Sequence, residues 1–296
     1  MFRRHPHHHV VLGTSLVILA TLVPAGAASA GSGATASDRT GACRPLVPFR
    51  PGNFHHPTKI DNRYLPMVPN TQLRYEGTTS EGTHTVIFTV TNLVKVVDGV
   101  TSRVVYDVDL QDGEVAEAEL AFFAQDDRGT VWNVGEYPEV FENGEFAGAP
   151  DVWIGGLRDA VPGIHMPGNT EAVEGIRYLQ GRAPAIDFLD CAKIVDDDGR
   201  VTVPAGHFSD VLTTHETSPL ESTTAIQTKE HAPHVGIVRI GALHDPEGET
   251  LVLTGYGHLS QQAQDRLNGR AKALDAHGHA PGVSPLYRTT PRVHVG

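Results

Sequence analysis

From Leu73 onward, apolar and polar positions alternate in short runs, each closed by a turn signal. "LRYEG" and "HTVIFTVTNLVKVV" lead to Asp98-Gly99, "VTSRVVYDVDL" to Asp112-Gly113, and "EVAEAELAFFA" to a turn from Asp126 to Gly129. A period of two is that of a strand. Asp-Gly between such runs signals a hairpin, because a type I′ turn needs positive φ at both central residues. The pattern predicts an antiparallel meander. It continues through "TVWNVGE" to Glu142-Asn143-Gly144 and crosses an irregular stretch marked by Pro150, Pro162 and Pro167. It then resumes with "VTVPAGHFSDVLTTHETS", "STTAIQTKEHA", "VGIVRIGA" and "ETLVLTGYGHL". About ten strands with almost no helical pattern between them predict one all-β domain over residues 46–258, a sandwich or an open or closed barrel, rather than two domains. In "VTSRVVYDVDL", Val100, Ser102, Val104 and Tyr106 share one face and Thr101, Arg103, Val105 and Asp107 the other, which predicts a sheet with one wet face.

The two ends follow other patterns. Arg3 and Arg4, an apolar run from Val10 to Val23, Pro24, and Ala28-Ser29-Ala30 before Gly31 have the order of a secretory signal peptide over residues 1–30. The run is short of the roughly 20 residues that span a bilayer, so no membrane span is expected after cleavage and the chain is expected to be secreted or held in the cell envelope. Residues 31–42 are small and polar, and 31–45 are expected to form a flexible leader. Leu259, Ala263, Leu267, Ala271 and Leu274 recur at three and four, predicting an amphipathic helix over 259–277, weakened by Gly269 and stopped by Gly278. The remainder, 278–296, carries three prolines and reads as a disordered tail.

Charge narrows the partners. Two of the 23 basic residues and none of the 35 acidic ones lie in the first thirty, so 21 against 35 leaves −14 on the mature chain. Nucleic acid and anionic lipid surfaces are poor partners for such a chain. The histidine cluster His7-His8-His9 departs with the signal peptide. Both cysteines, Cys43 and Cys191, stay with the exported part, where thiols are commonly oxidised, and they are expected to pair.

Three stretches carry a resemblance: "PTKIDNRYLPMVPNTQLRYEG" (57–77), "VTVPAGHFSDVL" (201–212) and "HAPHVGIVRI" (231–240). They resemble a loosely defined group of exported bacterial proteins, mostly uncharacterised, with "NPYFPLxPGTxWxYEG", "VPAGxFxDVL" and "YAPGVGLV"-like segments. "FFAQDDRGTVWNVGE" and "PGIHMPGN" extend the likeness to roughly residues 54–258. The resemblance implies a strongly curved antiparallel sheet, a half-barrel or open barrel like that of periplasmic lipoprotein carriers, with an apolar concave face. It brings no catalytic residues. This chain departs from the pattern at Leu65, at Asn70, which replaces a turn glycine, and at His231 and His234. Asn tolerates positive φ and keeps its turn; His234 is harder to read as a turn residue.

Candidate chemistry is sparse. No G-x-S-x-G elbow, S-x-x-K or cysteine–base pair occurs, so nucleophilic catalysis has no carrier. "HETSP" at 215–219 lacks the second histidine of a zinc-protease helix. His231, His234, His207 and His215 are candidate metal ligands, with His55, His56 and His165 beyond them, because zinc or copper needs three or four such side chains at one point. Asp126–Gly129 and Asp196–Gly199 lack the alternate acids of a calcium loop and read as turns. Glu114, Glu117, Glu119 and Glu136 lie on neighbouring predicted strands; paired carboxylates serve glycosidases, yet acids on an exposed strand face are the default in so acidic a chain. Phe122, Trp132, Tyr137 and Trp153 are candidate lining for a ligand cavity.

The reading that joins these is an exported, non-enzymatic β-domain that holds an apolar or amphiphilic small molecule in its curved sheet and needs no cofactor. A secreted metal-binding protein or metal-dependent enzyme, with a divalent metal on the strand-end histidines, is the alternative. A third is an envelope module that binds another protein through a sheet edge.

Overall fold

A computed structural model describes residues 43–222, 224–245 and 248–296. The expected signal peptide and most of the leader lie outside the described residues. The first meander is β1 (Thr71–Thr79), β2 (Gly82–Val97), β3 (Val100–Gln111), β4 (Glu114–Gln125) and β5 (Val131–Glu142). Asp98 and Gly99, Asp112 and Gly113, and Asn143 and Gly144 all have positive φ, as type I′ hairpins require. Two short strands, β6 (Glu145–Gly148) and β7 (Trp153–Ile154), fold back on β5. The second meander is β8 (Val161–Met166), β9 (Arg177–Ala183), β10 (Phe188–Val203), β11 (Gly206–Thr217), β12 (Ile226–Ala232), β13 (Gly236–Leu243) and β14 (Thr250–His258).

The sheet is fully antiparallel and closes on itself. β1 pairs with β2 on one side and with β14 on the other, from Thr71↔His258 to Thr78↔Thr250. Twelve strands therefore form a closed barrel in which each has two neighbours, and the expected open half-barrel is corrected. Closure also changes the meaning of the alternation. Tyr106 and Ala118 face outward, beside Arg270 of the helix, while Asp107 and Asp109 on β3 and Glu117 and Glu119 on β4 point inward and are buried. The polar face of β3 is the barrel interior and is not wet, so the expected exposure of Glu117 and Glu119 is overturned. The apolar concave face is corrected by the same fact.

The helix α1 (Gln261–Gly278) forms as its period predicts, with the Ser260 side chain accepting a hydrogen bond from Ala263 N–H at its start. It packs across the outside of β2 and β4. The segment after it is not a loose tail. Tyr287 is fully buried, stacked 4.0 Å from Tyr137 and 6.3 Å from Phe122, and its hydroxyl donates to Asp275 at 2.9 Å. The buried Lys95 ammonium lies 4.1 Å above the Tyr287 ring, donates to the Pro291 carbonyl and sits 3.6 Å from Asp275. β15 (His294–Val295) then adds to β2. The prolines stop a helix here, yet the buried aromatic and the ion pair still fix the chain.

The leader likewise has a fixed end. Cys43 and Cys191 are bonded, with Cα atoms 5.7 Å apart, and Arg44 bridges to Tyr178. Beyond it, Phe49 and Phe54 pack edge-on against Trp132 at 5.3 and 6.3 Å. Asn62 then orders the segment that covers one mouth of the barrel: its carbonyl accepts from Tyr64 and Leu65 N–H, and its amide donates to Gly129 and Pro167. Asn70 keeps its turn with φ 71°, and His234 proves to be a turn residue too, with φ 63° and its N–H on the Arg63 carbonyl at 2.6 Å. Asp196–Gly199 is not a turn between strands; it lies inside β10, where the register with β11 shifts.

Candidate functional site

The barrel interior is divided lengthwise. At the covered mouth it is apolar: Leu65, Met67, Leu73, Phe88, Phe123 and Ile237 meet around a cavity of ≈ 20 Å³, with His165 and Tyr75 the polar groups on its wall. Such a space holds about one water. The Tyr75 hydroxyl donates to the Ile237 carbonyl at 3.0 Å, and His165 lies edge-on to Phe123 at 5.2 Å. Burial pushes His165 down to about 4 and His231 down to about 3, so both imidazoles are neutral at pH 7.

Midway along the interior, Lys229 Nζ lies 2.6 Å from Glu216 Oε2. Gln180 and Thr214 donate to the other oxygen of that carboxylate at 3.0 and 3.3 Å, and Thr214 also meets His231 Nε2 at 3.4 Å. Burial alone would raise the Glu216 carboxyl, but the Lys229 ammonium and its other donors hold it below the usual range.

The opposite half is acidic. Asp107 stands directly across from Glu119, and Asp109 from Glu117, in two successive tiers of the β3–β4 ladder, and all four are buried. Glu249 and Gln227 enter the same region from β14's leading edge and β12, with the Gln227 amide donating to Glu249 Oε2 at 2.7 Å. His84 of β2 lies 3.1 Å from Glu249 and 3.8 Å from Asp109. Burial, followed by repulsion from Asp107, Glu117, Glu249 and Glu119, drives the Asp109 carboxyl well above its ordinary value. Near the same end, Glu136 accepts from Trp153 Nε1 at 2.8 Å and from Asn133, yet burial raises it to about 7. Asp190 accepts from Ser218 at 2.6 Å and is raised well above its usual value, again chiefly by burial.

The residues expected to form a ligand cavity do not come together. Phe122 and Tyr137 face outward beneath Tyr287, Trp132 is enclosed by Phe49 and Phe54 with its N–H on Asp126, and Trp153 stacks on Phe188 at 5.4 Å. All four are core. The histidines also stay apart: His231 is inside the barrel, His234 is on the turn after it, His207 is exposed and bonded to Thr202, and His215 is on the outer face of β11. Among the described residues no three His, Cys, Asp or Glu side chains group closely enough to hold a metal ion. Asp126 bonds the backbone N–H groups of Arg128 and Thr130, as a turn acid does. His84, Asp109, Gln227 and Glu249 were not legible as a group, because they lie on β2, β3 and β12 and just before β14, far apart in the chain.

No family model matches the chain, and no curated protein matches it. Among solved structures, a "putative exported protein with YmcC-like fold" from Bacteroides fragilis is 15% identical with a TM-score of 0.37, covering 66% of this chain and 99% of its own. A "putative lipoprotein" from Parabacteroides distasonis is 14% identical with a TM-score of 0.32 and the same coverage. At these scores neither says what this chain does. No described helix is long and apolar enough to cross a membrane, which leaves strands undecided.

Proposed function

We propose that this chain is a non-enzymatic binding protein of the extracytoplasmic space that takes a small amphiphilic molecule into its barrel. The observation that supports it most is the lengthwise division of the interior, apolar around the small cavity at one mouth and ionisable at the other. A molecule with an apolar part and a polar part matches such a lining. The cavity is too small for that ligand as it stands, so loading requires the cover over residues 60–67 to lift. That cover is tied to the barrel by side-chain bonds from Asn62 and Gln125 and by the His234 N–H on the Arg63 carbonyl rather than by a strand ladder. The Cys43–Cys191 bond suits an oxidising compartment. Addition of a partner to a sheet edge has less support, because closure pairs both sides of all twelve barrel strands.

The test is organic extraction and mass spectrometry of protein purified without detergent from its own host. A stoichiometric amphiphile is expected. Protein that carries none, and that neither binds nor releases a fluorescent lipid probe, would end this reading.

A further inference from the structure

The outer wall of the barrel carries a cleft of its own. Helix α1 crosses the outside of β2 and β4, and beside it the outward side chains of β3, β4 and β5 leave a trough of ≈ 520 Å³, the size of a small-molecule site. Its floor is apolar, made by Val108, Val115, Ala118 and Phe141. Val115 is 38% exposed, and so is Phe146, which meets Phe141 edge-on at 6.4 Å; contiguous apolar surface of this kind marks a binding site.

One end of the trough is a hydrogen-bond donor and carries positive charge. Arg270 and the hydroxyl-bearing Tyr106 line it together, and Arg270 pairs with no carboxylate among the described residues. Of the two carboxylates whose charge reaches Tyr106, Asp107 points into the barrel, and Glu139 is taken up by the Tyr137 hydroxyl and by His277 Nδ1, 2.8 Å from each of its oxygens. Burial raises the Tyr106 hydroxyl above its ordinary value although Arg270 acts against it, so it stays a proton donor at neutral pH. Glu114 lines the other end. Its cross-strand partner Gln111 is five residues beyond Tyr106 on β3, roughly 17 Å of strand.

We propose that this trough binds a free fatty acid of medium length, its carboxylate on Arg270 and Tyr106 and its chain along Val108, Ala118, Val115 and Phe141. A guanidinium offers paired N–H donors that match a carboxylate, and the hydroxyl adds a third donor. Glu114 at the far end repels a second negative charge, which selects a monocarboxylate over a dicarboxylate of the same length. The site is separate from the barrel interior and needs no lifting of the cover, so it stands or falls apart from the amphiphile reading above.

The experiment is isothermal titration of the mature, disulfide-bonded protein with decanoate, kept below the concentration at which it forms micelles, and with decanol and decanedioate. Saturable decanoate binding is expected, about tenfold tighter than that of either comparison compound. Arg270 is exposed, so Arg270→Gln should melt with the wild type and bind decanoate about tenfold more weakly. Val115→Asp, which puts a charge on the floor, should weaken it as much. Absence of saturable decanoate heat, or equal affinity for decanol, would overturn the proposal. Decanoate bound equally by wild type and by both variants would overturn it as well, while placing the chain in the barrel and leaving the amphiphile reading intact.

Discussion

Helix α1 contains two glycines for which the same substitution should act with opposite sign. Gly269 is exposed, and a Cβ built on it meets nothing within 4 Å. Replacing it with alanine removes the entropic penalty of a mid-helix glycine, a stabilisation of about 0.5–1 kcal/mol. Gly278 is the last residue of the helix, and there a Cβ would lie 2.4 Å from Tyr137 Cζ and 2.7 Å from both its hydroxyl and Tyr287 Cδ1. Neither ring can swing away: Tyr137 is fully buried, stacked on Tyr287, with its hydroxyl on Glu139. Overpacking of this kind costs about 1–3 kcal/mol, and the helix-propensity gain offsets only part of it at a terminal position. For a domain of this size 1 kcal/mol moves Tm by about 2–4 °C. Thermal denaturation of the two single variants should therefore show Gly269→Ala raised by about 1–4 °C and Gly278→Ala lowered by about 2–8 °C. Shifts of the same sign, or Gly278→Ala melting with the wild type, would refute the claim that the C-terminal segment is packed and immobile against β5.

Two further outcomes follow from the fold. Replacing both Cys43 and Cys191 by serine opens a link across 148 residues of chain and should destabilise the protein by up to about 5 kcal/mol in the chain-entropy model, read from urea midpoints; a change under about 1 kcal/mol would show that the bond constrains little. His165 is held at about 4, below its unfolded value near 6.5, so its contribution is complete above pH 6.5 and is lost as pH falls towards 4. His165→Leu should thus flatten the acid limb of the stability profile by about 3 kcal/mol between pH 7 and 4, and an unchanged limb would contradict the neutral, buried imidazole.

The local rules were legible in the chain and the closure was not. Asp98-Gly99, Asp112-Gly113 and Asn143-Gly144 make the turns that their chemistry demands, and the three-and-four spacing from Leu259 to Leu274 makes its helix. Pairing of β1 with β14 depends on contacts between residues at opposite ends of the meander, and no periodicity encodes them. That one omission inverts the solvent reading. Asp107, Glu117 and Glu119 obey a period of two whether their face is wet or enclosed, and composition favours the wet choice. The site was missed for the same reason: His84, Asp109, Gln227 and Glu249 become neighbours only when the sheet closes. Tyr287 was hidden by its proline-rich surroundings, which forbid a helix without forbidding burial.

The pairing of the first strand with the last also sets an order of events. Thr71 meets His258 and Thr78 meets Thr250, so β1 keeps an unpaired edge towards β14 until nearly the whole chain is present. Closing so long a loop comes with an entropic penalty before any contact offsets it, and topologies dominated by such distant pairings fold slowly. Partial chains can build hairpins but not a wall, and the buried carboxylate tiers acquire their low-dielectric surroundings only at the last step. Completion of the barrel and creation of its interior chemistry are therefore a single, late event in the life of this chain.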